Sequence, residues 1–154
     1  MTPRIDRILV PLDFSPQSQE ALDYACFIAA RFGASVDVLH VWEPPANLEP
    51  WLPGDVDRVL QQERDRIDRD LARAIEPHRL EALRVRAKLV ADTPVRGILH
   101  ETEGGGYDLV VMGTHGRTGL PRALLGSVAE QVVRRAHTPV LTVGPASRSK
   151  VRAA

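Results

Sequence analysis

The chain has 154 residues, enough for one domain with a substantial core, and its 20 Lys+Arg are balanced by 20 Asp+Glu. That balance gives no electrostatic case for nucleic acid or an anionic membrane as partner. The single cysteine, Cys26, excludes an internal disulfide, and no apolar run approaches the roughly 20 residues that span a bilayer.

"MTPRIDRILVPLD" lacks the long apolar stretch of a secretory signal, so a cytoplasmic protein is expected. Ile8, Leu9 and Val10 form a continuous apolar run, the pattern of a strand buried on both faces, with Pro11 expected to stop its ladder. Asp13 and Ser15 offer caps for a helix from Pro16, whose Ala21, Leu22, Ala25, Ile28, Ala29 and Phe32 recur at helical spacing up to Gly33. Cys26 lies within that apolar pattern and reads as a core residue. "SVDVLHVW" is a second strand, and the proline-rich residues 43–55 a surface loop. Val56, Leu60, Ile67, Leu71 and Ala74 mark the inner stripe of a long helix with a charged outer face. "ALRVRAKLV" is a third strand, and "TPVRGILHETE" a helix with Thr93 as cap. "YDLVVMG" and "TPVLTV" are the fourth and fifth strands, separated by a stretch carrying the last helix. Alternating strands and helices predict an α/β fold with a parallel sheet in one domain, residues 1–145, followed by a small basic tail, 146–154.

Open parallel sheets bind ligands beyond the carboxyl ends of their strands, where the strand order reverses. "GTHGRTGLPRALLGS", residues 113–127, follows the fourth strand and therefore sits where a ligand is expected. Glycines there let backbone N–H groups approach an anion, and Gly126-Ser127 suits phosphate if it opens a helix. The pattern is also compatible with a helix running from Pro121, which would make the glycines a simple turn. A Walker loop is excluded because no lysine follows Gly126, and a dinucleotide fingerprint begun at Gly104 fails at Leu109.

Gly113-x-x-Gly116, nine residues, then Gly126-Ser127 resembles the nucleotide signature of the universal stress protein (UspA-like) family, in its ATP-binding branch. "RILVPLDFSPQSQEALDYA" looks like that family's opening strand and helix, and "DLVVMGTHGRTGLPRALLGSVAEQVVRRAHTPVLTV" like its closing half. Ala91 stands where the family often has glycine, away from the signature. The resemblance implies a three-layer domain whose five-stranded parallel sheet has the order 3-2-1-4-5, adenine-nucleotide α-hydrolase-like and Rossmann-like. It implies ATP as ligand, with Mg2+ or Mn2+ and Asp13 near the ribose or the ion. Val41 would meet the adenine through its backbone, and Pro11 would form the opposite wall with Asp13. Met112 and Gly113 would touch the nucleoside. His115, Gly116, Gly126, Ser127 and Val128 would surround the phosphates, with Arg117 adding charge. Each also has a plain structural reading: strand end for Val41 and Met112, helix cap for Asp13 and Ser127, solvated loop for His115.

The expected function is a nucleotide-dependent regulatory protein of the stress response. A slow ATPase or phosphotransferase, or an interaction protein of the branch that does not bind nucleotide, are the alternatives. No residue stands out as a catalytic base, and His40, His78, His100 and His137 are scattered along the chain. The resemblance places the last strand at a sheet edge, where pairing with a second copy, Pro139 to Val143, would form a homodimer.

Overall fold

The computed structural model describes residues 4–45, 53–79, 83–115 and 125–144. Within them the order is β1 (Arg7–Pro11), α1 (Pro16–Phe32), β2 (Ser35–Trp42), α2 (Pro53–Ile75), a 3-10 turn (Glu76–His78), β3 (Arg84–Ala91), α3 (Pro94–Gly104), β4 (Leu109–Gly113), α4 (Ser127–Arg135) and β5 (Val140–Val143). All five strands are parallel, in the order β3-β2-β1-β4-β5, as the resemblance implied.

The apolar run of β1 is fully buried because both of its faces are covered. Ile8 and Val10 point toward α1 and α2, packing with Leu22, Val36, Val38, Ile67 and Leu71. Leu9 points the other way, toward Ile98, Val110 and Val132 beneath α3 and α4. Each such side chain taken out of water contributes about 1.5–3 kcal/mol. Of the stripe expected on α2, Ile67 and Leu71 are buried and Val56, Leu60 and Ala74 half-buried, with Ile75 buried beyond the expected set and the charged face outward. Cys26 is buried too, and loss of solvent, with Asp23 nearby, pushes its thiol up to about 12, so it is an inert core group.

Several boundaries differ from the sequence pattern for local reasons. Thr93 is the N-cap of α3, but its hydroxyl makes no capping bond; Asp92 Oδ1 instead accepts the Thr93 N–H at 2.6 Å. Strand β4 begins at Leu109 rather than Tyr107. Asp108 is occupied in accepting the N–H groups of Asp6 and Arg7, at 2.8 and 2.9 Å, which anchors the start of β1. Strand β5 pairs only from Val140 onward.

Toward the amino ends of the strands lies a buried acid. Asp37 on β2 accepts hydrogen bonds from Arg7 on β1 (3.0 Å), Arg86 on β3 (2.9 Å) and the Tyr107 hydroxyl (2.9 Å). The Arg7 guanidinium also lies 4.7 Å from the Tyr107 ring centre and donates to the Gly105 carbonyl. Burial works to raise the Asp37 carboxyl, yet the bonds from Tyr107, Arg7 and Arg86 outweigh it and hold the group below its usual range. No helix among the described residues is long and apolar enough to cross a membrane.

Candidate functional site

At the opposite end of the sheet the two central strands part, and Pro11 decides where. Amides along a strand alternate sides. The Leu12 N–H reaches the Leu39 carbonyl of β2 at 2.8 Å, so the amide edge of Pro11 faces β4. Proline has no N–H to offer there. Pairing of β1 with β4 ends at Leu9 opposite Val110, whereas β4 and β5 stay paired to Gly113 opposite Val143. The expectation that Pro11 stops the ladder is therefore corrected: Pro11 still pairs with Leu39 on the β2 side, and only the β4 side opens. The crevice forms where the strand order reverses, the place such sheets use for ligands.

The loop from β1 to α1 forms one wall. Asp13 Oδ1 accepts the Ser15 N–H at 3.0 Å, a turn-forming bond, and Ser15 Oγ caps α1 through the Ser18 N–H at 3.2 Å. Ser15 is thus the helix cap, and Asp13 fixes the loop before it. Phe14 has φ +64°, a left-handed conformation that costs a residue with a Cβ about 1–2 kcal/mol. Its ring rests on His40, with centres 4.7 Å apart, and His40 Nδ1 lies 2.7 Å from the Leu12 carbonyl.

Val41 stands near the end of β2, half-buried. It packs so closely on α3 that a Cβ at Gly97 would come within 2.8 Å of its Cγ1. Met112 is buried in the layer under α3 and α4. Gly113 is explained by packing rather than by ligand approach alone: a Cβ there would lie 3.0 Å from the Gln17 backbone in the first turn of α1.

The phosphate-loop candidates divide. Gly116 and Arg117 lie outside the described residues. Gly126 is the N-cap of α4, which starts at Ser127, so in the described residues the helix begins at the glycine-serine pair. The Gly126 N–H is bonded to the Thr114 carbonyl at 2.7 Å, which ties the head of α4 to the end of β4. Gly126 has no side chain to cap the helix, and Glu130 N–H is the first amide to bond back, to the Gly126 carbonyl. The amides of Ser127, Val128 and Ala129 in the first turn consequently have no intrahelical acceptor. His115 is 9% exposed, a buried residue rather than a solvated one. Its Nδ1 lies 2.9 Å from Thr114 Oγ1, and among the described residues its buried Nε2 has no hydrogen-bond partner. An orphaned imidazole nitrogen beside an uncapped helix head is chemically suited to an anion.

Sequence reasoning passed over Thr114, Gln17 and Phe14, and set His40 aside as one of several scattered histidines. Thr114 lies inside the glycine motif and was open to notice. A phenylalanine at positive φ has no sequence signal, because propensity argues against it. Among the described residues no three His, Cys, Asp or Glu side chains cluster as metal ligands.

This arrangement has relatives. The universal stress protein family profile matches residues 4–144. The chain belongs to the universal stress protein family. Universal stress protein MJ0531 of Methanocaldococcus jannaschii is 33% identical over 144 residues, covering 89% of this chain and 81% of that protein. The solved structure of M. jannaschii MJ0577 superposes with a TM-score of 0.70 at 28% identity, covering 90% of this chain and 95% of the other. A universal stress protein solved in complex with cAMP gives a TM-score of 0.67 at 26% identity, covering 92% and 98%. Some family members are longer: the chain matches 45% of one from Mycolicibacterium smegmatis.

Proposed function

We propose that this universal stress protein binds ATP in the β1–β4 crevice and acts as a nucleotide-dependent regulator. The observation that carries the reading is a buried His115 Nε2, unpartnered among the described residues, directly after Thr114, whose carbonyl holds the head of the uncapped α4. A relative that holds cAMP supports an adenine nucleotide as the class of ligand. Gly126, Ser127, Val128 and His115 would hold the phosphates, with Gly116 and Arg117 from the same motif. Pro11, Asp13, Met112 and Gly113 would flank the nucleoside, and Val41 the base. The Asp13 carboxylate suits an Mg2+ or Mn2+ ion carried in on the phosphates, an oxygen-seeking cation that keeps most of its own waters.

The test is calorimetry with ATP on the purified chain, with mass spectrometry of any nucleotide that copurifies. Binding is expected, and Gly126→Val should weaken it by at least about tenfold by crowding the approach to the helix head. Protein that is empty and silent toward ATP would refute the reading. Turnover that His115→Ala abolishes while binding persists would convert the regulator into an enzyme.

The reading includes a homodimer. Strand β5 is the sheet edge, and Leu141 on it and Val133 on α4 are exposed at 38% and 44%. Leu141→Arg should yield monomers in sedimentation at micromolar concentration; a wild type that is already monomeric there would refute the dimer.

A further inference from the structure

Parallel strands remain paired while each amide finds the next carbonyl on its neighbour. Leu39 O receives the Leu12 N–H, so the next rung between β1 and β2 would run from the Val41 N–H to the Leu12 carbonyl. Among the described residues that rung is missing. The carbonyl is engaged instead by the His40 ring, with Nδ1 at 2.7 Å. A carbonyl only accepts, so Nδ1 is the nitrogen that carries the hydrogen. The same ring packs on Phe14, which takes a left-handed conformation directly after Asp13. On the other side of β2 pairing continues, with the Trp42 carbonyl accepting the Asp92 N–H at 3.0 Å. The amide edge of Val41 therefore faces the side that β1 has vacated.

We propose that His40 is a positioning residue for the nucleotide base: by holding the Leu12 carbonyl it keeps the β1–β2 ladder open by one rung and leaves the Val41 N–H and C=O for the base. The inference rests on the nucleotide reading above and adds its specificity. One donor and one acceptor side by side on Val41 match the N6 amino donor and N7 acceptor of adenine. The O6 and N7 of guanine are both acceptors and would leave the Val41 carbonyl unpaired. Removing the Nδ1 donor frees Leu12 to close the rung, so that base reading is lost while the phosphate site on α4 stays intact.

Two measurements test this. In amide exchange on the nucleotide-free protein, Val41 should exchange at least about tenfold faster than Trp42 and slow by a similar factor when ATP is added. Calorimetry then compares ATP with inorganic tripolyphosphate for wild type, His40→Phe and His40→Asn. The asparagine is chosen because its amide nitrogen falls near the place of Nδ1. His40→Phe should bind ATP at least about tenfold more weakly with tripolyphosphate affinity within about twofold of wild type, and His40→Asn should restore ATP to within about threefold. ATP affinity untouched in His40→Phe, or an equal fall for both ligands, overturns the role of His40 and leaves the nucleotide reading standing. A wild type that ignores both ligands overturns the nucleotide reading itself. Should His40→Phe not fold, a Val41 amide already protected without ATP refutes the proposal by itself.

Discussion

The two ends of this sheet treat polar groups in opposite ways. At the amino end a buried carboxylate, Asp37, is saturated by two arginines and a tyrosine, and Asp108 accepts two backbone amides. At the carboxyl end, Pro11 withholds an amide, α4 begins without a side-chain cap, and His115 Nε2 is buried with no partner among the described residues. Buried polar groups left unmade are costly, so a fold tolerates them where something else completes them. The amino end stabilises the fold, and the carboxyl end is where the proposed ligand would complete it.

The sharpest break of that contrast is at Asp37. Asp37→Ala leaves two arginines without their acid and should destabilise the protein by about 3–5 kcal/mol in urea unfolding, with ATP affinity of the folded fraction unchanged. Because the Asp37 carboxyl is held below its ordinary 3.8, its stabilisation is complete above that value and is lost as pH falls through the lower folded one. The stability gap between wild type and Asp37→Asn should accordingly narrow as pH drops below about 4. A gap independent of acid would contradict the ionised cluster.

Gly113→Ala probes the seam between the ligand end and the core. Its Cβ would meet the Gln17 backbone at 3.0 Å, so α1 must shift, at about 1–3 kcal/mol in thermal unfolding. Wild-type stability in that variant would show that the glycine serves the ligand alone. His115→Phe removes both the orphaned nitrogen and the Thr114 bond, so nucleotide-free stability should stay within about 1 kcal/mol of wild type while ATP binding weakens. A loss beyond about 1.5 kcal/mol, more than the Thr114 bond accounts for, would mean that Nε2 is satisfied without ligand. The smallest effect concerns Phe14. Glycine and alanine both remove its ring, but only glycine relieves the positive φ, so Phe14→Gly should be more stable than Phe14→Ala by about 1 kcal/mol. The reverse order would remove strain from the account of this loop.

Much of the architecture was legible because it depends on periodicity. The continuous Ile8–Val10 run and the stripe from Ile67 to Leu71 each report the layer they face, and the strand-helix alternation left a parallel sheet as the natural outcome. The ends of elements were less legible. Thr93 is a cap by position only, its own N–H held by Asp92, and Tyr107 leaves β4 to serve Asp37, a partner 70 residues away in sequence. Pro11 marks an interruption in the sequence, but only against the β4 side of β1 does it end the pairing. Which side of a strand a missing N–H faces depends on the register with the strands beside it.

The amino-acid sequence by itself determined the layers, the order of elements and the family to which the chain belongs, since apolar period and motif spacing are local properties. Only the tertiary structure decided that α4 starts at Ser127, that His115 is buried with one nitrogen unpaired among the described residues, and that His40 rather than Val41 takes the Leu12 carbonyl. Those facts depend on which donors and acceptors meet across the chain, and a hydrogen-bond partner is defined by distance in space rather than by position in sequence.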